Sequence, residues 1–288
     1  MLNIIRIFDI PTQHNLFIYC KLEYMRKHFW WICCVFLMLC VTAISWAPAE
    51  GKKVTATTKS GYSAKELFNE YVNSIYQAAS LNQTGLNQQV FEKALTGYFN
   101  LKAANKLSKN SGVITMVDFT KSSREKRMWI VDILNKKLLL NTWVAHGQGS
   151  GGDIADHFSN TNESHQSSVG FYVTDDIYFG KHGRSLRLDG MDEGFNSAAR
   201  NRAIVVHAAD YVSQGAISQL GRLGRSHGCP AVSPEVIDMV INNIKGKTLL
   251  FINGSESNYT SKYLNDAFES NFMLNTASTV SADSLPKI

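Results

Sequence analysis

The chain has 288 residues, of which 44% are hydrophobic and 18% are charged. This composition can fill one large core or two small ones, and it excludes a disordered, collagenous or polytopic membrane protein. The 29 Lys and Arg against 24 Asp and Glu give a net charge of +5, which is too small and too evenly spread to indicate a nucleic-acid-binding protein.

A second possible start of the chain lies at Met25. The segment Arg26-Lys27-His28 is basic, residues 29–44 are almost wholly apolar, and Ala47-Pro48-Ala49 supplies small residues at a cleavage site. This is the layout of a secretory signal peptide, with an uncleaved signal anchor as the alternative. We therefore interpret residues 1–49 as an upstream extension and signal peptide, and we expect an exported protein of the periplasm or cell envelope.

The cysteines divide unevenly along the chain. Only Cys229 lies beyond residue 50, whereas four cysteines precede it: Cys20, Cys33, Cys34 and Cys40. After removal of the leader, one cysteine in an oxidising compartment cannot form a disulfide within its own chain. It is then an inert buried side chain, an intermolecular bridge or a reactive nucleophile.

The segment before residue 112 is predicted to be helical. Residues 50–62 are rich in Lys, Thr, Ser and Gly, which predicts a linker. Ser63 and Glu66 form a capping box, and apolar residues follow at helical spacing. A second amphipathic helix is predicted at 87–104, so the region 63–111 should be a helical hairpin packed on the main domain.

After Gly112 the pattern becomes that of strands. Runs of β-branched, aromatic and aliphatic residues predict strands at 113–119, 129–134, 137–145, 170–174, 185–188, 203–207 and 248–252. A helix with Ser233 as its N-cap and Pro234 in its first turn interrupts them. The pattern predicts a mainly β domain at 112–254, either a sandwich or an open barrel with long loops, followed by a polar tail at 255–288.

Two kinds of site are disfavoured by the sequence. Residues 147–152 match G-x-G-x-x-G, but the segment 153–158 is too short for the helix of a dinucleotide site, so we interpret the glycines as a mobile loop near a site. No two histidines have the spacing of a zinc hydrolase, and we interpret His157 and His165 as isolated surface or core side chains. We expect neither a metal nor an organic cofactor.

The segment 225–230, Arg-Ser-His-Gly-Cys-Pro, has the residue types of a nucleophilic cysteine site. A working thiol needs an imidazole or a positive field to ionise it. No histidine follows Cys229, so its base must come from upstream, which excludes papain-like peptidases. His207, at the end of an apolar strand, is the best candidate, because the side chain of His227 should point away from its neighbour Cys229. The alternative is that Cys229 is a small buried hydrophobic residue.

Two neighbours of Cys229 are expected to shape its backbone. Pro230 disfavours the helical conformation at Cys229 and so keeps it extended. Gly228 lets the backbone come close to a substrate. The amides of Gly228 and Cys229 are candidates for binding a developing oxyanion.

His207 followed by Ser226-His227-Gly228-Cys229, with 18 residues between His207 and Ser226, resembles the signature of YkuD-type L,D-transpeptidases. Residues 167–171 resemble the Thr-Pro-x-Gly-x-Phe strand of that family. The Pro-Ala-Val sequence after the cysteine, with residues 178–186 and 203–211, is similar to the murein L,D-transpeptidase catalytic-domain subfamily. The similarity covers about residues 112–253.

The resemblance implies a YkuD-like β-sandwich or open barrel that acts on peptidoglycan stem peptides. Cys229 would attack the carbonyl before the terminal D-alanine, release D-alanine and form a thioester that an amine of a second stem resolves. His207 would carry the protons, with its ring oriented by the Ala208 carbonyl. Ser226 would support the site by hydrogen bonding, and His227 would act mainly through its backbone and the shape of the pocket.

The chain departs from the family pattern after the cysteine, where relatives hold a substrate carboxylate with Arg or Asn and this chain has Pro230-Ala231. Carboxylate recognition must then lie elsewhere, because a guanidinium binds a carboxylate through two hydrogen bonds. The candidates are Arg222, Arg225, Arg184 and Arg187. We also expect substrate contacts from His182, Gly183, His146 and Gly170. The histidine-to-serine spacing predicts an inserted loop at residues 214–224.

Two further interpretations stay open on sequence grounds. The chain could hydrolyse its substrate as an L,D-carboxypeptidase or amidase, or it could be a catalytically silent module that binds the cell wall. The expected partners are peptidoglycan stem peptides, with no nucleic acid, and a membrane only if the signal segment is uncleaved.

Overall fold

The computed structural model describes residues 63–265, 267–268 and 270–273. The predicted signal peptide, the four early cysteines and the linker at 50–62 lie outside the described residues. Within the described ranges, no helix has both the length and the apolar character needed to cross a membrane. The domain boundaries predicted at residues 62, 111 and 254 stay predictions.

Two helices precede the sheet, α1 at Ala64–Ala78 and α2 at Gln88–Ala103. Helix α1 begins at the predicted capping box, where Ser63 Oγ accepts a hydrogen bond from the Glu66 amide and the Glu66 carboxylate accepts one from the Ser63 amide. Asn87 caps α2 in the same way, with its side chain accepting from the Gln89 amide. The predicted N-terminal helical hairpin is confirmed.

Eight strands follow in the part of the chain that the structure describes. They are β1 Val113–Asp118, β2 Met128–Asp132, β3 Lys137–Thr142, β4 Gly170–Gly180, β5 Gly183–Gly190, β6 Val205–Ala208, β7 Ala231–Val232 and β8 Leu249–Asn253. They form one sheet in the order β3-β2-β1-β8-β4-β5-β6-β7, with β1–β8 and β6–β7 parallel and the other pairs antiparallel.

The two edges of this sheet nearly meet. Ala145, just beyond β3, forms an antiparallel bridge with Ala231 of β7, and its amide donates to the Ala231 carbonyl at 2.8 Å. Closing a sheet in this way removes exposed strand edges. The expectation of a mainly β, YkuD-like domain that forms a sandwich or open barrel is confirmed as a nearly closed barrel.

Two short helices lie among the strands, α3 at Gln214–Leu220 and α4 at Ile237–Ile244. Helix α3 corrects the loop predicted at 214–224, and Ser213 Oγ caps it by accepting from the Ala216 amide. Helix α4 begins later than predicted, because the Val236 amide bonds to the Ser233 carbonyl and makes residues 234–236 a turn.

Apolar side chains cover both faces of the sheet. One face packs against α1, α2 and the C-terminal segment, and its core includes Phe68, Phe91, Phe171, Phe251 and Tyr263. The other face packs against α4, and its core includes Tyr172, Leu188, Val206, Ile241 and Leu250. The buried carboxylate of Asp192 fixes the C-terminal segment, since it accepts hydrogen bonds from Tyr259 and Ser261.

Gly97 sets how closely α2 approaches the sheet. A Cβ added at this position would lie 2.1 Å from Cε1 of the Phe171 ring in β4. Gly is a poor helix former, so its place inside α2 is explained by this close packing rather than by helix propensity.

Gly97→Ala is therefore expected to lower the free energy of unfolding by about 1–2 kcal/mol, because overpacking outweighs the better helix propensity of Ala. Urea denaturation measures the difference. Gly215→Ala in α3 is the matched control, since its nearest contact would be 3.7 Å away, and it should gain about 0.5–1 kcal/mol. A stabilised Gly97→Ala variant would contradict the explanation.

Candidate active site

Strands β6 and β7 bring the two key segments of the sequence together. Their parallel pairing places His207 opposite Ala231, two residues after Cys229. The Cys229 Sγ lies 3.8 Å from the Ala203 carbonyl oxygen and accepts a hydrogen bond from the Val205 amide at the start of β6. The thiol and His207 therefore lie along the same short stretch of β6. In the described chain they form no hydrogen bond with each other, so their pairing as a dyad stays a prediction.

His207 is held as a neutral base. Its ring is only 3% exposed, and Nδ1 lies 2.9 Å from the Ala208 carbonyl oxygen. A carbonyl only accepts, so the proton resides on Nδ1 and Nε2 keeps its lone pair. Burial lowers the pKa of His207, and the charge of His182 acts in the same direction, whereas the hydrogen bond to Ala208 opposes them. The ring is thus available to accept a proton at Nε2.

His182 lies against His207. It belongs to the exposed turn between β4 and β5, and its ring stacks on that of His207 with centroids 4.3 Å apart and an angle of 26°. Gly183, the first residue of β5, has a φ of +71° and is exposed. Both residues were predicted to contact substrate, and the fold places them at the rim of the candidate site.

Ser226 closes the loop that carries the thiol. Its Oγ donates to the Cys229 carbonyl at 2.7 Å and accepts from the Gly228 amide at 3.0 Å. The backbone of Ser226 is bonded on both sides, because its amide donates to the His146 carbonyl and its carbonyl accepts from the Gln148 amide. A serine can both donate and accept, which is what this position requires.

The two amides predicted to bind an oxyanion differ in their hydrogen bonding. The Gly228 amide is occupied by Ser226 Oγ, whereas the Cys229 amide has no hydrogen-bond partner within the described ranges. The Cys229 amide is therefore the available donor. Gly228 has a φ of +121°, and a Cβ there would lie 2.7 Å from the Gln166 carbonyl oxygen, so only glycine fits.

His227 points to the outside of the loop and is exposed. Its ring stacks on His165, with centroids 4.3 Å apart and an angle of 7°. The Nε2 amide of Gln148 donates to His165 Nδ1 at 2.9 Å. His165 was predicted to be isolated, and no local pattern could have placed it here, because the partner lies 62 positions further along the chain.

Arg202 is a second residue that sequence analysis missed. Its guanidinium donates four hydrogen bonds, and it forms no ion pair within the described ranges. Burial raises the pKa of the Cys229 thiol, while the Val205 hydrogen bond and the positive charge of Arg202 act in the opposite direction. The thiol therefore has a cation in its surroundings other than an imidazolium.

His146 was predicted to contact substrate, and this stays a prediction although its side chain is buried. Its ring is 1% exposed, and Nδ1 accepts a hydrogen bond from Nη2 of the buried Arg127 at 2.7 Å. Burial, reinforced by the charge of Arg127, lowers the pKa of His146 to about 4. The His146 carbonyl accepts a hydrogen bond from the Ser226 amide, and His146 supports the site in this way.

The predicted substrate contacts of Gly170 and Arg184 stay predictions as well. Gly170 is buried with a φ of +113°, and a Cβ there would lie 2.3 Å from Asp192 Oδ2, so its role is to permit close packing. Arg184 forms an ion pair with Asp238 at 2.7 Å and donates a hydrogen bond to Asn242. Its guanidinium is therefore already occupied by these two partners. The guanidinium of Arg187 lies over the Tyr178 ring.

Two of the four candidate arginines lie just before Ser226 in the chain. Arg222 donates to the Leu223 carbonyl and Arg225 to the Gly151 carbonyl, each at 2.7 Å. Neither forms an ion pair with any described carboxylate. Both are half-buried, so either could still bind an anionic group of a ligand.

Among the described residues no cluster of His, Cys, Asp or Glu could hold a metal.

One family profile matches this chain. The sequence profile of the L,D-transpeptidase catalytic domain matches residues 82–253, a range that contains the whole candidate site. A search of curated proteins finds no match.

Several solved structures are similar in fold. The L,D-transpeptidase from Mycobacterium smegmatis is 11% identical, with 50% of this chain and 59% of that chain covered and a TM-score of 0.31. The helical cell shape determining protein Pgp2 from Campylobacter jejuni, a mutant form, is 12% identical, with 66% of each chain covered and a TM-score of 0.37. The L,D-transpeptidase from Stackebrandtia nassauensis is 14% identical, with 59% and 69% covered and a TM-score of 0.31. The chain thus spans about three fifths of the Mycobacterium smegmatis protein.

The low pKa of His146 predicts how stability depends on pH. The folded pKa of about 4 lies below the unfolded value near 6.5, so between them the unfolded chain binds a proton that the folded chain does not. Stability should then fall as the pH falls from about 6.5 to about 4, by up to about 3 kcal/mol from this residue.

His146→Asn should remove this contribution, because the Asn side chain does not titrate. Its oxygen can still accept the hydrogen bond from Arg127, so that contact is kept. Urea denaturation at several pH values measures the slope. His157→Asn is the matched control for replacing a histidine, since His157 is exposed. Equal slopes for His146→Asn and the unmodified chain would contradict the assignment.

Proposed function

This chain belongs to the L,D-transpeptidase catalytic domain family, whose profile covers more than half of it, and on this premise we propose that it is an exported cysteine L,D-transpeptidase acting on peptidoglycan stem tetrapeptides. The observation that carries the proposal is the placement of one thiol. Ser226 fixes the loop of Cys229 beside β6, the strand that holds His207 with an unprotonated Nε2.

In the proposed acylation step, Cys229 gives its proton to His207 Nε2. Sγ forms a bond to the carbonyl carbon of the diamino acid that precedes the terminal D-alanine. The C–N bond of that peptide then breaks, and His207 returns the proton to the leaving amine. D-alanine departs and a thioester remains on Cys229. The Cys229 amide, which is free of partners in the described chain, would donate to the oxyanion of the intermediate.

In the proposed second step, an amine of another stem attacks the thioester carbon. His207 takes a proton from this amine, the C–S bond breaks, and the proton returns to the sulfur. The product is a cross-linked peptide and the thiol is regenerated. Water in place of the amine would give hydrolysis through the same steps, so the arrangement of Cys229 and His207 serves both outcomes.

Substrate recognition requires a cation for the carboxylates of the stem. We assign this role to Arg222 and Arg225, which flank the loop of Cys229 and are not neutralised by a described carboxylate. Export is supported by the basic segment 26–28, the apolar run 29–44 and the small residues at 47–49.

Cys229→Ala should abolish D-alanine release from disaccharide tetrapeptides, and His207→Gln should reduce it by about a thousandfold or more. Chromatography of the products measures both, and intact-mass spectrometry of the unmodified protein should show the thioester adduct. His157→Gln is the matched histidine control and should keep the rate of the unmodified chain. Undiminished release by Cys229→Ala would contradict the proposal.

Product analysis with and without an amine acceptor separates transfer from hydrolysis. A cross-linked product that depends on the acceptor supports transpeptidation. Release of free tripeptide stems that the acceptor does not affect would replace it with hydrolysis. Binding to peptidoglycan without any D-alanine release or adduct would instead identify a silent module.

A further inference from the structure

Arg202 lies just before β6 and joins it to a distant segment of the chain. Its Nη1 donates to the Ser159 carbonyl at 2.6 Å and to Ser168 Oγ at 2.5 Å. Its Nη2 donates to the Gln166 carbonyl at 2.6 Å and to Ser164 Oγ at 3.2 Å. Four hydrogen bonds fix the guanidinium in one orientation, which a flexible surface arginine would not have.

All four acceptors of Arg202 are neutral. Arg200, two residues earlier, provides the contrast, because it forms ion pairs with Asp175 and with Asp189. Arg202 forms no ion pair within the described ranges, so carbonyls and hydroxyls satisfy its hydrogen-bonding groups while its positive charge is not cancelled. A half-buried charge of this kind acts on its surroundings through a medium that screens it weakly.

The guanidinium lies against the residue that precedes the thiol. Nη2 is 3.2 Å from the position that a Cβ on Gly228 would occupy. The Gln166 carbonyl, which Nη2 holds, lies 2.7 Å from that same position. On the other side, the carbonyl of Ala203, the residue after Arg202, lies 3.8 Å from Cys229 Sγ. The Arg202 guanidinium therefore lies against Gly228, and the carbonyl of its neighbour Ala203 lies near the Cys229 sulfur.

We propose that Arg202 is a positioning residue for Cys229, whose uncancelled charge stabilises the negative charge that forms on sulfur when Cys229 gives its proton to His207. This inference rests on the proposed function, since it assumes that Cys229 is the nucleophile. It differs from a simple cysteine–histidine pair in naming which cation stabilises the sulfur.

The other titratable groups near the thiol do not supply this charge. Tyr211 interacts with Cys229, but burial raises its pKa to about 12, so it stays neutral. Burial lowers the pKa of His207, which keeps that ring neutral, and His182 stacks on its outer side. His227 projects outward onto His165. Burial lowers the pKa of Arg202, whereas Cys229 and Tyr172 act to raise it.

The test measures the rate of alkylation of the full chain by iodoacetamide as a function of pH, which requires no substrate. In Arg202→Gln the midpoint of the thiol titration should rise by about one pH unit, because an opposite charge nearby shifts a pKa by roughly that much or more. The rate at pH 7 should then fall about tenfold. Arg202→Lys keeps the charge and should stay within a few tenths of a unit of the unmodified chain.

Arg200→Gln is the matched control and should leave the midpoint unchanged, because Asp175 and Asp189 already cancel that charge. His207→Gln should keep nearly the same midpoint while it loses D-alanine release. An unchanged midpoint in Arg202→Gln would overturn the inference, as would equal shifts in the Gln and Lys variants, which would make the effect structural. If Arg202→Gln does not fold, the Arg202→Lys variant becomes the test. A raised midpoint of the thiol titration in that variant would also overturn the inference.

The two proposals fail in different ways. A thiol that titrates identically in all Arg202 variants overturns the role of Arg202 and leaves the transpeptidase intact if D-alanine release still depends on Cys229. D-alanine release that persists in Cys229→Ala overturns the proposed function, whatever the titration shows.

Discussion

The pairing of β6 with β7 is the constraint on which the candidate site depends. Strand β7 has two residues, yet it pairs in parallel with β6 and is bridged by Ala145 on its other side. This short strand closes the barrel and also fixes the register between His207 and the loop of Cys229. The Gly228 conformation and the Ser226 hydrogen bonds then set the loop locally. Loss of the pairing would separate two segments that no other described strand connects.

One buried arginine and one half-buried arginine support this loop. Arg127 donates to the Val144 and Lys121 carbonyls and to His146, whose carbonyl holds Ser226. Arg202 donates to carbonyls and hydroxyls next to Gly228. In both cases neutral acceptors satisfy the guanidinium. Hydrogen bonds thus lower the free-energy cost of burying each guanidinium, but they do not cancel its positive charge. The electric field of that charge would stabilise negative charge that develops near the thiol.

Much of this arrangement could be predicted from the sequence because its signals are local. Runs of β-branched, aromatic and aliphatic residues marked the long strands, a capping box marked α1, and Ser226-His227-Gly228-Cys229 is one continuous segment. The remainder depends on contacts between distant residues. The acceptors of Arg202 lie 34 to 43 positions away, and β7 is too short to show a period. His146 follows an apolar strand beside glycines that we interpret as a loop near a site, and its burial depends on its pairing with the distant Arg127.

Burial acts on the thiol and on the imidazole in opposite directions, and both effects have the same consequence. It raises the pKa of Cys229 and lowers that of His207, so the resting pair favours a neutral thiol beside a neutral ring. Charge must then be created during the reaction, first on sulfur and afterwards on the substrate oxygen. A fixed cation can stabilise both positions without moving, whereas an imidazolium loses its charge when it returns the proton. This is the physical reason for a second positive group beside a cysteine that already has a base.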